Sequence, residues 1–436
     1  MSKPLNTSPF GRFLRVGSLA TRVTSSLALQ NILNLARSGP MANLRRSENF
    51  VLNAMRVTEA LGEMKGAAMK VGQILSVHEG MLPPEVCAVL QTLQQDAPSV
   101  PFATMRAVLE QGIPNGMAAF SEFSETPLAA ASIGQVYRGR LQDGRDVAVK
   151  VQYPDIDRVV AADLKNLEKL SRAMVAMFVD IDFDPFWEEL ASRLLEELDY
   201  VQEAKNATRM SELYSDDPKI LVPSVIPEFS GKRVLTMEYV GGINPNEACT
   251  DDYDMSLRNE WGVRQMAFVM RGLYEHRFLH ADPNFGNFAF REDGSMVVYD
   301  HGCVTAVPDH TADGCAGVLA ALLDQDMGAL PDTLHALGVY DRKSGERVPM
   351  RVVEPIGKEL MFMVRPEPYR FSSTSDLYET LFRDNGRYLT ELSKLELPPE
   401  LTFVNRTLSG LFGNLCRLKA EARWDQVLEP FVDRSR

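Results

Sequence analysis

The feature that most constrains the fold of this chain is a pair of short polar segments separated by a predicted hairpin. The first is His280–Asn287 (HADPNFGN), which has the form H-x-D-x-x-x-x-N. The second is Tyr299–Gly302 (YDHG), which contains an Asp-x-Gly. Between them, two β-rich runs at 288–291 and 296–299 flank an Asp-Gly dipeptide, which is a hairpin signal. The hairpin predicts that the two polar segments meet in space.

Phosphoryl transfer explains why these residue types occur together. An aspartate, here Asp282, must accept or orient the proton of the attacking hydroxyl group. An asparagine and a second aspartate, here Asn287 and Asp300, supply the oxygen ligands that Mg²⁺ prefers. The spacing therefore predicts an Asp282 base beside a magnesium site formed by Asn287 and Asp300.

A second motif lies upstream, at Val147–Lys150 (VAVK), where a lysine closes an apolar strand. In kinase-like folds this lysine meets the α- and β-phosphates of the nucleotide. Lys150 needs a carboxylate partner, and the acidic run at 196–203 offers several. If this run is one helix, Glu196, Asp199 and Glu203 share one face.

The segment before the lysine strand occupies the position of a glycine-rich phosphate loop. It carries alanines at Ala129, Ala130 and Ala131, followed by Ser132, where glycines would be expected. Alanine resists positive φ angles, so we expect a stiffer loop that approaches phosphate differently.

Composition excludes several classes of protein. The 436 residues include 46 Lys plus Arg and 59 Asp plus Glu, a formal net charge of −13, which argues against nucleic-acid binding. The five cysteines are scattered and form no C-x-x-C pair, so neither a zinc site nor a disulfide framework is predicted. The longest uncharged stretches are too short or too polar to form a transmembrane span.

The first 47 residues differ from the rest of the chain. They contain seven basic residues and no acidic residue before Glu48. Such a segment is typical of an organelle transit peptide, of a basic segment that contacts anionic lipid, or of a frayed leader without a role. The sequence leaves all three interpretations open.

Hydrophobic periodicity gives a coarse map of the elements. Helices are predicted at 48–78, 85–95, 156–178, 185–214 and 260–277, and mainly helical structure from 311 onward. Strands are predicted within 131–151, around an Asp-Gly turn, at 221–223, and at 233–240. This layout is that of a two-lobed nucleotide-binding enzyme, although the layout alone would not establish it.

Three further motifs make the interpretation specific. They are Lys70–Gln73 (KVGQ), Ala129–Ser132 (AAAS) and Glu197–Asp199 (ELD). With the motifs above, the chain resembles the AarF/UbiB atypical kinase family, the group that includes mitochondrial coenzyme Q biosynthesis ATPases. The resemblance runs from about Arg12 to the predicted helix at 406–418.

The resemblance implies an α+β, two-lobed protein-kinase-like fold with an N-terminal helical extension that carries the Lys-x-Gly-Gln motif. The implied organisation is a basic segment at 1–47 and the helical extension at 48–125. A kinase-like N-lobe with the Ala-rich loop and the Glu-x-Asp helix follows at 126–240. A mainly helical C-lobe with the catalytic and metal loops occupies 241–436.

The resemblance also implies a role for each matching residue. The catalytic residues would be Asp282, Lys70 and Glu197, with Lys70 contacting Glu197. ATP or ADP would be bound by Lys150, Glu203, Ala129, Ala130, Ala131, Ser132, Glu238 and Val240. In that set Lys150 pairs with Glu203, and the hinge at 237–240 receives adenine through backbone groups. Mg²⁺ would be held by Asn287 and Asp300.

The sequence departs from the family pattern at two places. The family usually has His-Ala-Asp-Pro-His-Pro-Gly-Asn at the first place. This chain has Asn284 instead of the second histidine and Phe285 instead of the second proline. Neither is a base or metal ligand, so we expect the chemistry to survive. The usual Asp-Phe-Gly contains His301, which weakens any argument for a phenylalanine-driven switch and introduces a side chain that can titrate or hydrogen-bond.

The implied function is a Mg²⁺-dependent, ATP-binding atypical kinase or ATPase that supports ubiquinone biosynthesis or lipid homeostasis at a membrane surface. The alternatives are a nucleotide-gated, non-catalytic scaffold and a protein kinase. The expected partners are a nucleotide, an anionic lipid or quinone precursor, and quinone-biosynthesis proteins. The expected location is cytoplasmic or peripheral on a membrane, or the mitochondrial matrix or a plastid if the N-terminus is a transit peptide.

Overall fold

A computed structural model describes residues 100–131, 133–158, 160, 164, 168, 172, 184–371 and 394–432. The chain forms two compact units. The first comprises the described residues up to Gln202 together with Val225–Tyr239, and the second comprises Glu203–Ser224 and the described residues from Val240 onward. The predictions for Lys70, for Ser132 and for the helices at 48–78 and 85–95 lie outside the described residues.

The elements are labelled in chain order. The helices are α1 (Phe102–Gly112), α2 (Asp184–Glu196), α3 (Tyr200–Leu213), α4 (Pro245–Ala248), α5 (Met255–Met270), α6 (Asp309–Leu323), α7 (Leu330–Ala336), α8 (Met350–Met363), α9 (Glu400–Leu418) and α10 (Trp424–Leu428). The strands are β1 (Phe120–Phe123), β2 (Ala129–Ala130), β3 (Gly134–Leu141), β4 (Asp146–Gln152), β5 (Ile220–Leu221), β6 (Val234–Glu238), β7 (Phe278–His280), β8 (Phe288–Phe290), β9 (Met296–Val298), β10 (Val304–Ala306), β11 (Tyr340–Asp341), β12 (Tyr369–Arg370), β13 (Leu395–Glu396) and β14 (Glu421–Ala422).

The first unit is organised around an antiparallel sheet. Its strands run in the order β1-β3-β4-β6, and β2 pairs with β3. The predicted hairpin between β3 and β4 is confirmed, and its turn has Gly144 at a φ of +91°, where glycine is favoured. Asp143 closes the turn by accepting a hydrogen bond from the backbone N–H of Arg145 at 3.0 Å. The Asp-Gly pair thus fixes the register of β4, which carries Lys150. The strand predicted to close at Lys150 continues to Gln152.

The single helix predicted over 185–214 is wrong, because α2 ends at Glu196 and α3 begins at Tyr200. The break occurs where Asp199 caps α3. Its carboxylate Oδ1 accepts hydrogen bonds from the backbone N–H groups of Val201 and Gln202, each at 3.0 Å. Glu196 and Asp199 therefore do not share one helical face with Glu203.

The second unit contains a set of short strands and most of the helices. Strand β9 pairs with β8 in antiparallel and with β5 in parallel, and β7 pairs with β10. The predicted hairpin is confirmed as β8-β9, with Gly294 at a φ of +79° in its turn. The helix predicted at 260–277 begins earlier, at Met255, because the Asp254 side chain caps it.

The core of the second unit is built on two buried tryptophans. Trp261 of α5 donates a hydrogen bond to the carbonyl of Arg291 at 2.9 Å, and Trp424 of α10 donates one to the carbonyl of Tyr369 at 2.7 Å. The indole N–H groups are thereby satisfied while the rings are buried. Within the described residues, no helix combines the length and the apolar character that crossing a bilayer requires.

Candidate functional site

The first unit buries Lys150 on the face of β4 opposite its valines. Val147, Val149 and Val151 point to one side of the strand and are buried, so the alternation of the strand directs Lys150 to the other side. Lys150 is 8% exposed, and its ammonium nitrogen lies 5.1 Å from the centroid of the Tyr200 ring. A buried ammonium group requires electrostatic compensation, and the aromatic face supplies part of it.

The break between α2 and α3 lies against the same face of β4. Gln152 lies two residues after Lys150 and donates a hydrogen bond from Nε2 to the carbonyl of Leu198 at 2.8 Å. Leu198 is the central residue of the Glu-x-Asp motif, so the strand that carries the lysine also anchors the backbone of that motif. Glu197 itself is half-buried beside this anchor. No sequence pattern had indicated a role for Gln152 or Tyr200.

The alanine-rich segment is a short strand that turns tightly into β3. Ala129 pairs with Val136 and Ala130 with Gln135, and the backbone N–H of Ala131 donates to the carbonyl of Gly134 at 2.8 Å. All three alanines lie outside the left-handed region of backbone conformation. The segment therefore takes a conformation that alanine adopts without strain, unlike a glycine-rich loop.

Two contacts fix this alanine-rich turn to the sheet. The backbone N–H of Tyr153 donates to the carbonyl of Ile133 at 2.8 Å, and the Tyr153 hydroxyl lies 3.5 Å from the carbonyl of Ala131. Burial raises the pKa of Tyr153 to about 12, so the hydroxyl remains a possible donor even in moderately alkaline solution. Gly134 is required because a Cβ there would lie 2.3 Å from the carbonyl oxygen of Val151.

The predicted hinge residues follow β6. Glu238 ends the strand and is exposed. The backbone N–H of Tyr239 is already used, because it donates to the carbonyl of Asp146 at 3.0 Å. The carbonyl of Val240 accepts a hydrogen bond from the Tyr299 hydroxyl at 2.8 Å. Their predicted role in binding adenine stays a prediction.

In the second unit, the segment after β7 is held by a series of hydrogen bonds. His280 is buried, and its Nε2 lies 2.6 Å from the carbonyl oxygen of Asp300, to which it donates because a carbonyl can only accept. The backbone N–H of Ala281 donates to the carbonyl of Cys303 at 2.9 Å. These bonds join the His-x-Asp segment to the Asp-x-Gly segment.

Asp282 and Asn287 are joined directly. The Asn287 side-chain Nδ2 donates to the backbone carbonyl of Asp282 at 3.2 Å. The Asp282 side chain is 9% exposed, and its Oδ1 lies 3.7 Å from a guanidinium nitrogen of Arg406 in α9. The approach of Arg406 brings together residues that are far apart in the sequence, and no local pattern predicted it.

The hairpin brings the two predicted magnesium ligands to neighbouring positions. The backbone N–H of Tyr299 donates to the carbonyl of Asn287 at 2.9 Å, so Asp300 follows directly on a residue bonded to Asn287. The Asp300 Oδ1 accepts from the backbone N–H of Gly302 at 3.0 Å.

The donor atoms of these two residues fit Mg²⁺. Because the Asn287 Nδ2 is used by Asp282, its Oδ1 is the atom that can bind a cation, and Asp300 adds carboxylate oxygen. An amide oxygen and a carboxylate form an oxygen donor set of the kind Mg²⁺ takes when phosphates and water complete the octahedron. The described residues contain no group of three or more His, Cys, Asp and Glu side chains that could hold a metal by themselves.

Residues from α3 approach the Asp-x-Gly segment. Asn206 donates from Nδ2 to the carbonyl of His301 at 3.0 Å. A Cβ placed on Gly302 would lie 3.3 Å from Asp300 Oδ1 and 3.8 Å from Glu203 Oε2, so both carboxylates border that glycine. His301 is fully buried, with its Nε2 3.2 Å from the carbonyl oxygen of Val298. Its side chain thus contacts the hairpin and is not exposed to solvent.

The structure groups the predicted residues within each unit. Lys150 and the Glu-x-Asp motif lie together in the first unit, and Asp282, Asn287 and Asp300 lie together in the second. Glu203 belongs to the second unit and Lys150 to the first, so their predicted pairing stays a prediction. The predicted contact between Lys70 and Glu197 involves a residue outside the described part of the chain.

Comparison with protein-family models matches part of this chain to a kinase-like domain. Residues 92–333 match the model described as the ABC1 atypical kinase-like domain, which is more than half of the 436 residues. The matched range includes both groups of residues described above. It ends before α9.

Two of the curated relatives that are similar to this chain have kinase names. The chain is 31% identical over 375 residues to "Atypical kinase COQ8B, mitochondrial" of Danio rerio, covering 84% of this chain and 59% of the relative. It is 32% identical over 317 residues to "Protein ACTIVITY OF BC1 COMPLEX KINASE 3, chloroplastic" of Arabidopsis thaliana, covering 70% of this chain and 43% of the relative. The chain thus spans about half the length of these two curated relatives.

A solved structure has the same fold. The structure of Rv3197 in complex with erythromycin, from Mycobacterium tuberculosis, superposes with a TM-score of 0.64 and 26% sequence identity. The superposition covers 90% of this chain and 97% of the other. The predicted kinase-like mixture of helices and sheets is therefore confirmed, while the N-terminal motif lies outside the described residues.

Proposed function

Because this chain belongs to the ABC1 atypical kinase-like family, the AarF/UbiB group that its motifs resemble, we propose that it binds ATP with Mg²⁺ and transfers or hydrolyses the γ-phosphoryl group. The family is one of atypical kinases.

One observation carries the proposal. Within the second unit, a hydrogen bond from Asn287 to the Asp282 carbonyl and another from Tyr299 to the Asn287 carbonyl connect the two polar segments. A base and two oxygen-bearing side chains therefore lie on adjoining backbone, as in-line transfer to a metal-bound phosphate requires. Lys150, buried on β4 of the first unit, supports the same interpretation.

The mechanism assigns each residue one task. Asp282 orients the hydroxyl of water or another acceptor and accepts its proton as the new oxygen–phosphorus bond forms. The bond between the γ-phosphorus and the bridging oxygen breaks, and ADP leaves. Asn287 and Asp300 would hold Mg²⁺, which would neutralise charge on the phosphate oxygens when bound. Lys150 binds the α- and β-phosphates, so catalysis is mainly electrostatic positioning.

The pathway is proposed from relatives. One relative is named a mitochondrial COQ8B kinase and another a chloroplastic kinase. We propose that this chain supports the biosynthesis of ubiquinone or a related isoprenoid quinone, or lipid homeostasis, at a membrane surface, with an anionic lipid or a quinone precursor as ligand. The basic first 47 residues suit either a peripheral membrane contact or import into an organelle.

The test is ATP turnover by the purified full chain. We expect phosphate release to require Mg²⁺ and to rise when liposomes of anionic lipid or a quinone-like phenol are added. Liposomes of a neutral phosphatidylcholine are the matched control, because they present a bilayer without the negative charge. ADP binding without turnover in every lipid condition would contradict the proposal and identify a nucleotide-gated scaffold. Robust label transfer to a generic protein would identify a protein kinase instead.

A further inference from the structure

Helix α9, which follows the matched family domain in the chain, places one of its faces against the segment that carries Asp282. Its contact residues are Arg406, Thr407, Gly410 and Asn414, spaced so that they share a side of the helix. The Thr407 hydroxyl lies 3.5 Å from the carbonyl oxygen of His280. Both elements belong to the second unit.

The closest approach is between Gly410 and Pro283. A Cβ built on Gly410 would lie 2.2 Å from Cγ and 2.3 Å from Cβ of Pro283. The proline ring is rigid, so it cannot turn away as a flexible side chain would. Gly413, three residues later in the same helix, has open space where its Cβ would lie. Glycine is therefore required at position 410, where a Cβ would collide with Pro283, but not at position 413.

Two side chains add polar contacts on either side of this point. Asn414 is buried and donates from Nδ2 to the carbonyl of Pro283 at 3.0 Å. Arg406 has a side chain that is 12% exposed and lies 3.7 Å from the Asp282 carboxylate. The three contacts fix the backbone at Pro283, the position of its ring and the orientation of the Asp282 side chain. A buried hydrogen bond and a charge contact in a partly buried site resist displacement more than exposed ones do.

We propose that α9 is a positioning element for the reaction, in which Asn414 and Gly410 hold the Asp282–Pro283 backbone and Arg406 orients the Asp282 carboxylate. Each of these residues acts through the Asp282–Pro283 segment. The inference rests on the proposed role of Asp282 as the base. It gives the segment beyond the family domain a direct part in setting the reaction rate.

The test compares Gly410→Ala with Gly413→Ala in the full chain. Both variants make the same substitution in the same helix, but only the first forces Pro283 to move. We expect Gly410→Ala to lower kcat by about 10- to 100-fold, as a displacement of about 1 Å does, with the KM for ATP within about two-fold. Gly413→Ala should keep kcat and melt at the same or a higher temperature.

Hydrogen exchange separates this inference from the proposed function. Exchange of the backbone amides at 280–287 should be faster in Gly410→Ala and unchanged in Gly413→Ala, whether or not ATP is turned over. If the wild type shows no turnover, the proposed function fails, and the exchange data still test the contact between α9 and the loop. Equal exchange and equal kcat in the two variants would overturn the inference.

A second pair of variants keeps the test available if Gly410→Ala does not fold. Arg406→Gln should lower kcat by about 10-fold without changing the melting temperature by more than a few degrees, and Arg406→Lys should restore part of kcat because it restores the charge. A purely structural role would lower the melting temperature and leave kcat per folded molecule unchanged. That result would overturn the proposal.

Discussion

The hydrogen bond from His280 to the carbonyl of Asp300 gives a prediction that can be worked out from the structure. His280 is 3% exposed, and its Nε2 lies 2.6 Å from that oxygen. The ring also packs against Phe268 and Phe288, with centroids 5.8 and 5.9 Å away. His280→Leu keeps an apolar side chain among these rings but leaves the carbonyl of Asp300 without its donor.

The expected cost follows from the loss of one partner of a partly buried hydrogen bond. An acceptor left unsatisfied away from solvent costs about 1–3 kcal/mol. With an unfolding entropy of about 2.1 cal/mol/K per residue, a chain of 436 residues loses about 1 °C of melting temperature for each kcal/mol, so the variant should melt about 1–3 °C lower. Because Asp300 loses its backbone anchor, the Mg²⁺ concentration needed for half-maximal ATP turnover should also rise.

Calorimetry and a Mg²⁺ titration of ATP turnover measure both effects. His280→Gln is the matched control, because its side-chain N–H can replace the donor and should recover part of the stability and of the Mg²⁺ affinity. The reasoning is refuted if His280→Leu melts at the same temperature as the wild type and reaches half-maximal turnover at the same Mg²⁺ concentration. It is also refuted if His280→Gln and His280→Leu behave alike.

Three further predictions follow from individual contacts. Lys150→Met removes the buried ammonium group and should lower ATP turnover by at least about 100-fold in a steady-state assay, because the proposed electrostatic contact to phosphate is lost. Gly134→Ala should destabilise the chain by about 1–3 kcal/mol in urea unfolding and weaken ATP binding in calorimetric titration, since its Cβ would lie 2.3 Å from the Val151 carbonyl oxygen. The pKa of His276 lies below its ordinary 6.5, chiefly because burial disfavours the charged ring. Below pH 6.5, His276 therefore binds a proton more readily in the unfolded chain than in the folded chain. The melting temperature of the wild type should fall relative to that of His276→Gln as the pH drops below 6.5, and the difference between the two should stay constant above pH 6.5.

The hairpins and the spacing between the polar segments were predictable because they depend on local chemistry. An Asp-Gly dipeptide between two β-rich runs favours a tight turn, and the structure has Gly144 and Gly294 at positive φ in those turns. Once the second turn forms, the distance along the chain from Asn287 to Asp300 determines that they become neighbours. The apolar run before Lys150 likewise predicted the strand that carries it, although β4 continues to Gln152 and does not close at Lys150.

The helix break at Asp199 was missed although the sequence contained a signal for it. Aspartate is favoured as an N-cap, and a helix can start directly after it. The apolar periodicity of the surrounding residues hid this alternative, because periodicity continues across a short break. The prediction of one acidic face over Glu196, Asp199 and Glu203 failed for that reason.

Other site residues could not have been found from local patterns. Gln152 bonds to Leu198, which is 46 residues away, and Asn414 bonds to Pro283, which is 131 residues away. An isolated glutamine on a strand or asparagine on a helix has no spacing that distinguishes it from a surface residue. These side chains find their hydrogen-bond acceptors only when distant elements pack together.

The measurement that tests the central claim most directly is Mg²⁺-dependent ATP turnover by Asp300→Asn beside Asp313→Asn. Asp313 is an exposed carboxylate of α6 that pairs with Arg277, and such surface pairs contribute little. We predict that Asp300→Asn lowers turnover by at least about 100-fold at saturating ATP, while Asp313→Asn stays within about two-fold of the wild type. Equal turnover in the two variants, at equal melting temperature, would contradict the account.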